Sequence, residues 1–508
     1  MELNELGINI GIGLATALSW HNLLFCFLGV FIGMLVGVLP GIGPLAAISM
    51  LFPITFHLDP ATALIMLAGM YYGTAYGGST AAILLNVPGS ASSAVACLDG
   101  YPMSQQGRGG IALLLTTTSS FIAGSVGIIL MMLFSPLIVD TALQFGPAEN
   151  FSLMVLGLVA ASAITDGSAV KALAMVVLGI TLGVVGMDGY TGEPRFDFGF
   201  LELYEGIGLV PLAMGLFGVT EVIVSILMPS RAKVQNVSLR SMVPTRDDVR
   251  RSWMPTFRGT AIGSIFGALP GTGPTIASFM AYAVEKRVAR DPSRFGKGAV
   301  EGVCAPEAAN NAADQTAFIP TLTLGIPGSA TMALLLGVLI IHGITPGPTL
   351  MVREPDIFWG LVMSFWIGNL MLLVLNIPLI GLWIRLLQIP FHYLYPAILV
   401  FVCIGVYSVG NSTFDVWMVL WLGMLGYAMR LLAFPAAPLL LGFVLGPLME
   451  EHFRRTMIIS RGNLMTFFER PLSCTLLVIA LALLVWGIWS TIKTGKREVG
   501  QAAADGSV

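Results

Sequence analysis

The chain has 508 residues, of which 56% are hydrophobic and only 10% charged, against about 25% charged in a soluble domain. Its 25 basic and 28 acidic side chains, a net charge of −3, cannot cover a soluble protein of this size, and mean hydropathy is +0.85. An ordinary cytosolic enzyme, a disordered chain and a nucleic-acid binder, which needs a basic face, are excluded. An all-α polytopic membrane protein remains. At about 20 residues per span the apolar content sets a ceiling of about 14 helices, and about 12 are expected once loops are allowed for.

The N-terminus, MELNELGINI, has no basic n-region, so the first apolar segment is expected to be retained rather than cleaved. Whether 6–20 spans the bilayer or lies on it stays open. The first Lys or Arg is Arg108, which places the N-terminus on the periplasmic side under the positive-inside rule. The first motif is GMLVGVLPGIGP (33–44), whose proline and glycine break a helix inside an apolar run. YYGTAYGGST (71–80) follows, rich in small residues and phenols. Then comes NVPGSASS (86–93), with hydroxyls at Ser90, Ser92 and Ser93 and with Asn86 before the turn. Asp99 and Arg108 flank LDGYPMSQQGRGG, read as a solvated loop, and Asp166 reads as a loop or cap residue.

Twelve of the 25 basic residues lie between Arg231 and Lys297, so both flanks of the apolar segment 259–284 are cytoplasmic. PGTGP (270–274) interrupts that segment, leaving arms of 11 and 10 residues. Each arm reaches about 15 Å, half of a ~30 Å hydrocarbon core. The segment therefore reads as a re-entrant hairpin turning near the midplane, against protein or a watery cavity rather than lipid. PEAANNAADQT (306–316) sets Glu307, Asn310, Asn311 and Asp314 on one helical face. That face fits a wall of a translocation path, with Asn310, Asn311 and Asp314 near a coupling cation. Glu307 fits better in the first turn of a cytoplasmic helix start beside Pro306. GIPGSATM (325–332) adds Ser329 and Thr331. The last apolar run, 472–492, precedes Lys493, Lys496 and Arg497, so the C-terminus reads as cytoplasmic with a disordered tail.

The motifs are duplicated. GMLVGVLPGIGP matches GSIFGALPGTGP (263–274) at an offset of 230, and NVPGSASS resembles GIPGSATM at an offset of 239. The chain thus divides into a first transmembrane repeat (1–230, hairpin at 40–44) and a basic cytoplasmic linker (231–258). A second repeat (259–492, hairpin at 270–274) and a tail (493–508) follow. The first hairpin has no basic flank and the second has two, so inverted repeats are expected, a transporter device that places substrate at the midplane between broken helices. Broken helices offer free N–H groups to anions and free carbonyls to a hard cation. The candidate substrate site is Gly41, Gly43, Ser90, Ser92, Gly271, Gly273, Ser329 and Thr331. The candidate cation site is Asn86, Asn310, Asn311 and Asp314. Each motif alone also fits a packing kink; four, paired across a duplication, point to function.

GVLPGIGP, YYGTAYGGSTAAILLNVPGSASS, GALPGTGP, PEAANNAADQ and TLGIPGSATMALLLG together resemble the large membrane subunit of the tripartite tricarboxylate transporters, the TctA family, from about Gly29 to Gly446. The resemblance implies a bacterial inner-membrane secondary transporter, not an enzyme. It implies uptake of citrate or other carboxylates in symport with Na⁺, with no other cofactor. It also implies two partners, a small four-helix membrane subunit and a periplasmic solute-binding protein. The absence of GxxxxGK[ST] fits transport without ATP hydrolysis by this chain. Alternatives are an anion channel with re-entrant selectivity loops and an intramembrane enzyme, for which neither GxSxG nor HExxH is present.

Overall fold

The computed structural model describes residues 3–39, 42–164, 168–227, 237, 239–269, 273–387 and 391–504. Asp166, read as a loop or cap residue, lies outside them. Helices account for nearly all regular structure. The described strands are one antiparallel pair, Gly186–Met187 with Pro194–Arg195, in which Gly186 faces Arg195. Among the described residues, six helical stretches are long and apolar enough to cross a bilayer, the longest being Ala94–Ala142, which kinks at Gly107. Five shorter apolar helices accompany them, among them Pro44–His57 and Ala330–Ile341. The all-α polytopic architecture therefore includes interrupted helices. The breaks fall where proline removes an N–H and glycine permits a turn.

Each hairpin is built as the sequence dictates. Helix Trp20–Val38 ends at an extended Leu39, and Pro44–Leu51 restarts with Gly43 as N-cap and Pro44 at the first position. Helix Arg246–Ala268 ends at an extended Leu269, and Gly273–Val288 restarts with Gly273 at φ +62°. The descending arm then packs on a third helix through glycines four residues apart. A Cβ on Gly29, Gly33 or Gly37 would meet the backbone carbonyls of Met66, Met70 and Thr74 at 2.0, 2.3 and 2.5 Å. One on Gly259, Gly263 or Gly267 would meet those of Ala305, Ala309 and Ala313 at 2.1, 2.2 and 2.4 Å. The offsets are again 230 on the arm and 239 on its partner. Small residues let the backbones touch, the usual basis of helix association in membranes.

The same offsets make helices Pro60–Leu85 and Val300–Thr316 equivalent. They meet each other through Tyr71 with Asp314 and Ser79 with Glu307, so residue numbers rise along one as they fall along the other. Equivalent helices that run antiparallel make the repeats inverted.

Three boundaries differ from the expectation. The arm of the second hairpin begins at Arg246, inside the stretch 231–258 read as linker, because Thr245 and Asp248 form a reciprocal capping box. Helix Pro471–Ala504 continues through most of the segment read as a disordered tail. Glu307 is not in a first turn: its helix starts at Val300 and holds Pro306 internally.

Candidate functional site

The hairpin tips and both PGSA turns line one cavity of about 660 Å³. Gly43 and Pro44 contribute from the first hairpin, Gly273 and Pro274 from the second, Ser90 and Ser92 from one turn, and Ser329 and Thr331 from the other. Six of the eight proposed substrate residues thus share one space; Gly41 and Gly271 lie outside the described residues. The helices that begin there explain why. Pro44–Leu51, Ala94–Met103, Gly273–Val288 and Ala330–Ile341 all start at or beside the cavity, two from each repeat. Free N–H groups and the positive end of the macrodipole gather at each start. Ser329 caps the last of these helices, accepting from the Met332 N–H at 3.3 Å. The first turn is knotted by its serines: the Ser90 and Ser92 hydroxyls lie 3.0 Å apart, and Ser93 Oγ donates to the Ser90 carbonyl at 2.9 Å. Gly89 presses against the Cα of Gly78, where a Cβ would lie 2.8 Å away.

Asp314 reaches the cavity and takes a hydrogen bond from the Tyr71 hydroxyl; both side chains are buried. One face behind Asp314 stays polar. Glu307 accepts from Ser79 Oγ at 2.8 Å, and Asn311 Nδ2 donates to Ser120 Oγ at 2.7 Å and to the Glu307 carbonyl at 3.0 Å. Asn310 is 1% exposed, and neither polar atom of its side chain has a hydrogen-bond partner among the described residues. Buried polar atoms normally find partners, so Asn310 offers a donor and an acceptor one helical turn from Asp314. Neither Asn310 nor Asn311 lines the cavity itself. Among the described residues no cluster of three or more His, Cys, Asp or Glu side chains forms.

Asn86 is not brought to the site. It is exposed, at φ 60° and ψ 28°, and caps helix Pro60–Leu85 through its N–H to the Ala82 carbonyl. Its equivalent at the 239 offset, Gly325, stops helix Phe318–Leu324 in the same left-handed conformation, φ 71° and ψ 22°. Asparagine is the non-glycine residue best suited to that position, which accounts for its presence without a ligand. Asp99 is likewise no solvated loop charge. It is buried, accepts from the N–H groups of Gly296, Gly298 and Ala299 at 2.8–2.9 Å and from the Tyr282 hydroxyl at 3.0 Å, and so ties the two repeats together. Arg108 pairs with Asp248 at 2.5 Å.

Among the further residues that line the cavity are Tyr71, from the stretch read both as a source of phenol donors and as helix packing, and Glu221 and Arg430, which no motif marks. Each of these two charges sits in an apolar helix, a signal that by itself identifies a functional candidate in a membrane.

Inverted repeats, broken helices and a shared cavity ringed by helix starts define a multi-pass membrane transporter. The chain belongs to the tripartite tricarboxylate transporter TctA family, whose pattern matches residues 23–441. The family is one of membrane subunits of tripartite transport systems. The chain is 50% identical over 491 residues, covering 97% of this chain and 98% of the relative, to an uncharacterized 52.8 kDa protein in the TAR-I ttuC' 3' region of Agrobacterium vitis. A second protein of Agrobacterium vitis, in the TAR-II ttuC' 3' region, is 51% identical over 237 residues, 47% of this chain and 98% of the relative. No solved structure matches.

Proposed function

We propose that this chain carries a citrate-like carboxylate across the bacterial cytoplasmic membrane by alternating access. The carboxylate binds at the midplane between the two hairpins. The single observation that carries this reading is the convergence of four helix starts and four hydroxyl side chains, from both inverted repeats, on one cavity. Oriented N–H groups and hydroxyls bind carboxylate oxygens without a full positive charge, which suits a site that must also release its cargo. A periplasmic binding protein delivers the substrate, and a small four-helix subunit completes the assembly. The N-terminus faces the periplasm and the C-terminus the cytoplasm, in keeping with the distribution of basic residues.

Sodium ion is the proposed co-substrate. The buried Asp314 carboxylate, the Tyr71 hydroxyl and the Asn310 amide supply the oxygen donors that a hard cation requires. Among the described residues no basic side chain is bonded to Asp314, and a carboxylate at this depth is stabilised by a bound cation. The moving unit comprises the two hairpins with the helices they grip through their glycine stripes, an elevator-type arrangement.

The test is uptake of radiolabelled citrate, then of a panel of other carboxylates, into proteoliposomes holding this chain and its small subunit. It is run with and without an inward Na⁺ gradient and with and without the cognate binding protein. Saturable uptake that requires both is expected. Conductance far above carrier turnover, independent of both, would refute the carrier in favour of a channel.

A further inference from the structure

We propose that Arg430 and Glu221 form a charge latch at the cytoplasmic mouth of the cavity, opened when a carboxylate of the substrate takes the place of Glu221 on Arg430. The proposal rests on the carboxylate-carrier reading above and adds a residue pair to it. Among the described residues, Arg430 is the one basic side chain that lines the cavity. Its Nη1 donates to Glu221 Oε2 at 2.8 Å, with 53% of the arginine side chain and 19% of the glutamate side chain exposed. A guanidinium carries five N–H donors in a planar fork that matches a carboxylate in two-point contact. The bond from Nη1 to one glutamate oxygen uses a single arm of that fork.

The position is fixed from both sides. Arg430 lies in the last turn of helix Thr413–Leu431, where the helix dipole favours a cation, and Glu221 lies within the continuous helical stretch Leu209–Ile226. The two helices are held together by glycines: a Cβ on Gly426 would meet Thr220 Oγ1 at 2.2 Å, and one on Gly423 would meet Val219 Cγ1 at 2.6 Å. Beyond Arg430 the chain is tied down by Lys171, whose ammonium donates to the Leu432 carbonyl at 2.7 Å and lies 4.9 Å from the Phe434 ring, itself part of the cavity wall. Helix Thr220–Leu227 leads directly into the basic stretch beginning at Arg231. The latch thus lies toward the cytoplasmic face under the positive-inside rule, at the end of the cavity where an imported anion leaves.

An ion pair that only tethers two helices predicts the same loss whichever partner is removed. A latch predicts opposite effects. Glu221→Gln frees the arginine, so a carboxylate is held more tightly from the cytoplasmic side. Arg430→Gln removes the anion's counter-charge. The experiment measures half-saturation for citrate, and for the panel of other carboxylates, at the cytoplasmic face of inverted membrane vesicles containing the full chain and its small subunit. Glu221→Gln is expected to lower that concentration about tenfold and Arg430→Gln to raise it about tenfold, the range of one charge-assisted hydrogen bond. Arg430→Lys should recover part of the loss. Because Arg430→Gln risks misfolding, thermal unfolding of each variant in detergent is measured, and Glu221→Gln with Arg430→Lys carries the test if Arg430→Gln is lost. Shifts of the same sign, or none, while the unmodified protein saturates with a carboxylate, would overturn the latch and leave the carrier reading standing. Failure of the unmodified protein to take up any carboxylate would overturn both.

Discussion

Replacing Asp314 with asparagine removes one charge from the cavity wall and leaves its shape. The carboxylate is 2% exposed and accepts a hydrogen bond from the Tyr71 hydroxyl. Two stability effects oppose each other. Asp314 sits in the last turn of helix Val300–Thr316, and relief of a charge buried within the membrane stabilises by about 2.5–3.5 kcal/mol on insertion scales. Weakening a charge-assisted hydrogen bond to a neutral one costs about 1–2 kcal/mol. The net change is a gain of roughly 1–2 kcal/mol, so the variant should fold and unfold at a temperature no lower than the parent. Transport responds differently. A carboxylate about 4 Å from a cation contributes about 4 kcal/mol at an effective dielectric of 20, which is about three decades of affinity. Na⁺ titration of carboxylate uptake into proteoliposomes, paired with thermal unfolding in detergent, measures both. Uptake at the parental Na⁺ half-saturation would refute the cation role of Asp314. Loss of uptake accompanied by a collapse in unfolding temperature would make Asp314 a structural prop.

The remaining predictions concern backbone and periphery. At Gly273, φ is +62° and an added Cβ would find no heavy atom closer than 3.9 Å, so Gly273→Ala should cost about 1–2 kcal/mol through backbone strain alone. At Gly43, φ is −78°, so Gly43→Ala should cost less despite a Cβ contact of 3.3 Å with the Gly89 carbonyl; denaturation midpoints of the two variants in one detergent compare them, and equal losses would count against a turn-based account. Gly263→Ala places a Cβ 2.2 Å from the Ala309 carbonyl and should destabilise by about 1–3 kcal/mol or more, read as reduced yield and a lower unfolding temperature. In the loop after helix Ala169–Gly183, hydrogen bonds from Arg454 and from the Thr191 and Tyr190 N–H groups hold the Asp188 carboxyl well below its usual range. A depressed folded-state value means that this stabilisation is present above the ordinary carboxylate range and lost as pH falls through and below it. Proteolytic nicking of 186–206 should therefore rise on acidification, and Asp188→Asn should show the same nicking at neutral pH.

The sequence alone determined the membrane class, the two helix breaks and the duplication, because composition and proline–glycine chemistry act locally and survive in any tertiary context. It also singled out seven residues that share the cavity, the six substrate candidates and Asp314. Other features depended on packing. Asn86 looked like a ligand because an amide before a turn has two uses; only its left-handed backbone, shared with Gly325, shows which one applies. Glu307 looked like a helix start because Pro306 precedes it, whereas its partner, Ser79, lies 228 residues away in sequence. Glu221 and Arg430 are 209 residues apart, and each alone is a charge in an apolar helix. Such pairs arise when antiparallel repeats bring distant helices to glycine-set contact distances. Where a helix breaks is written in its own residues; which broken ends face one another is decided by the surfaces they are packed against.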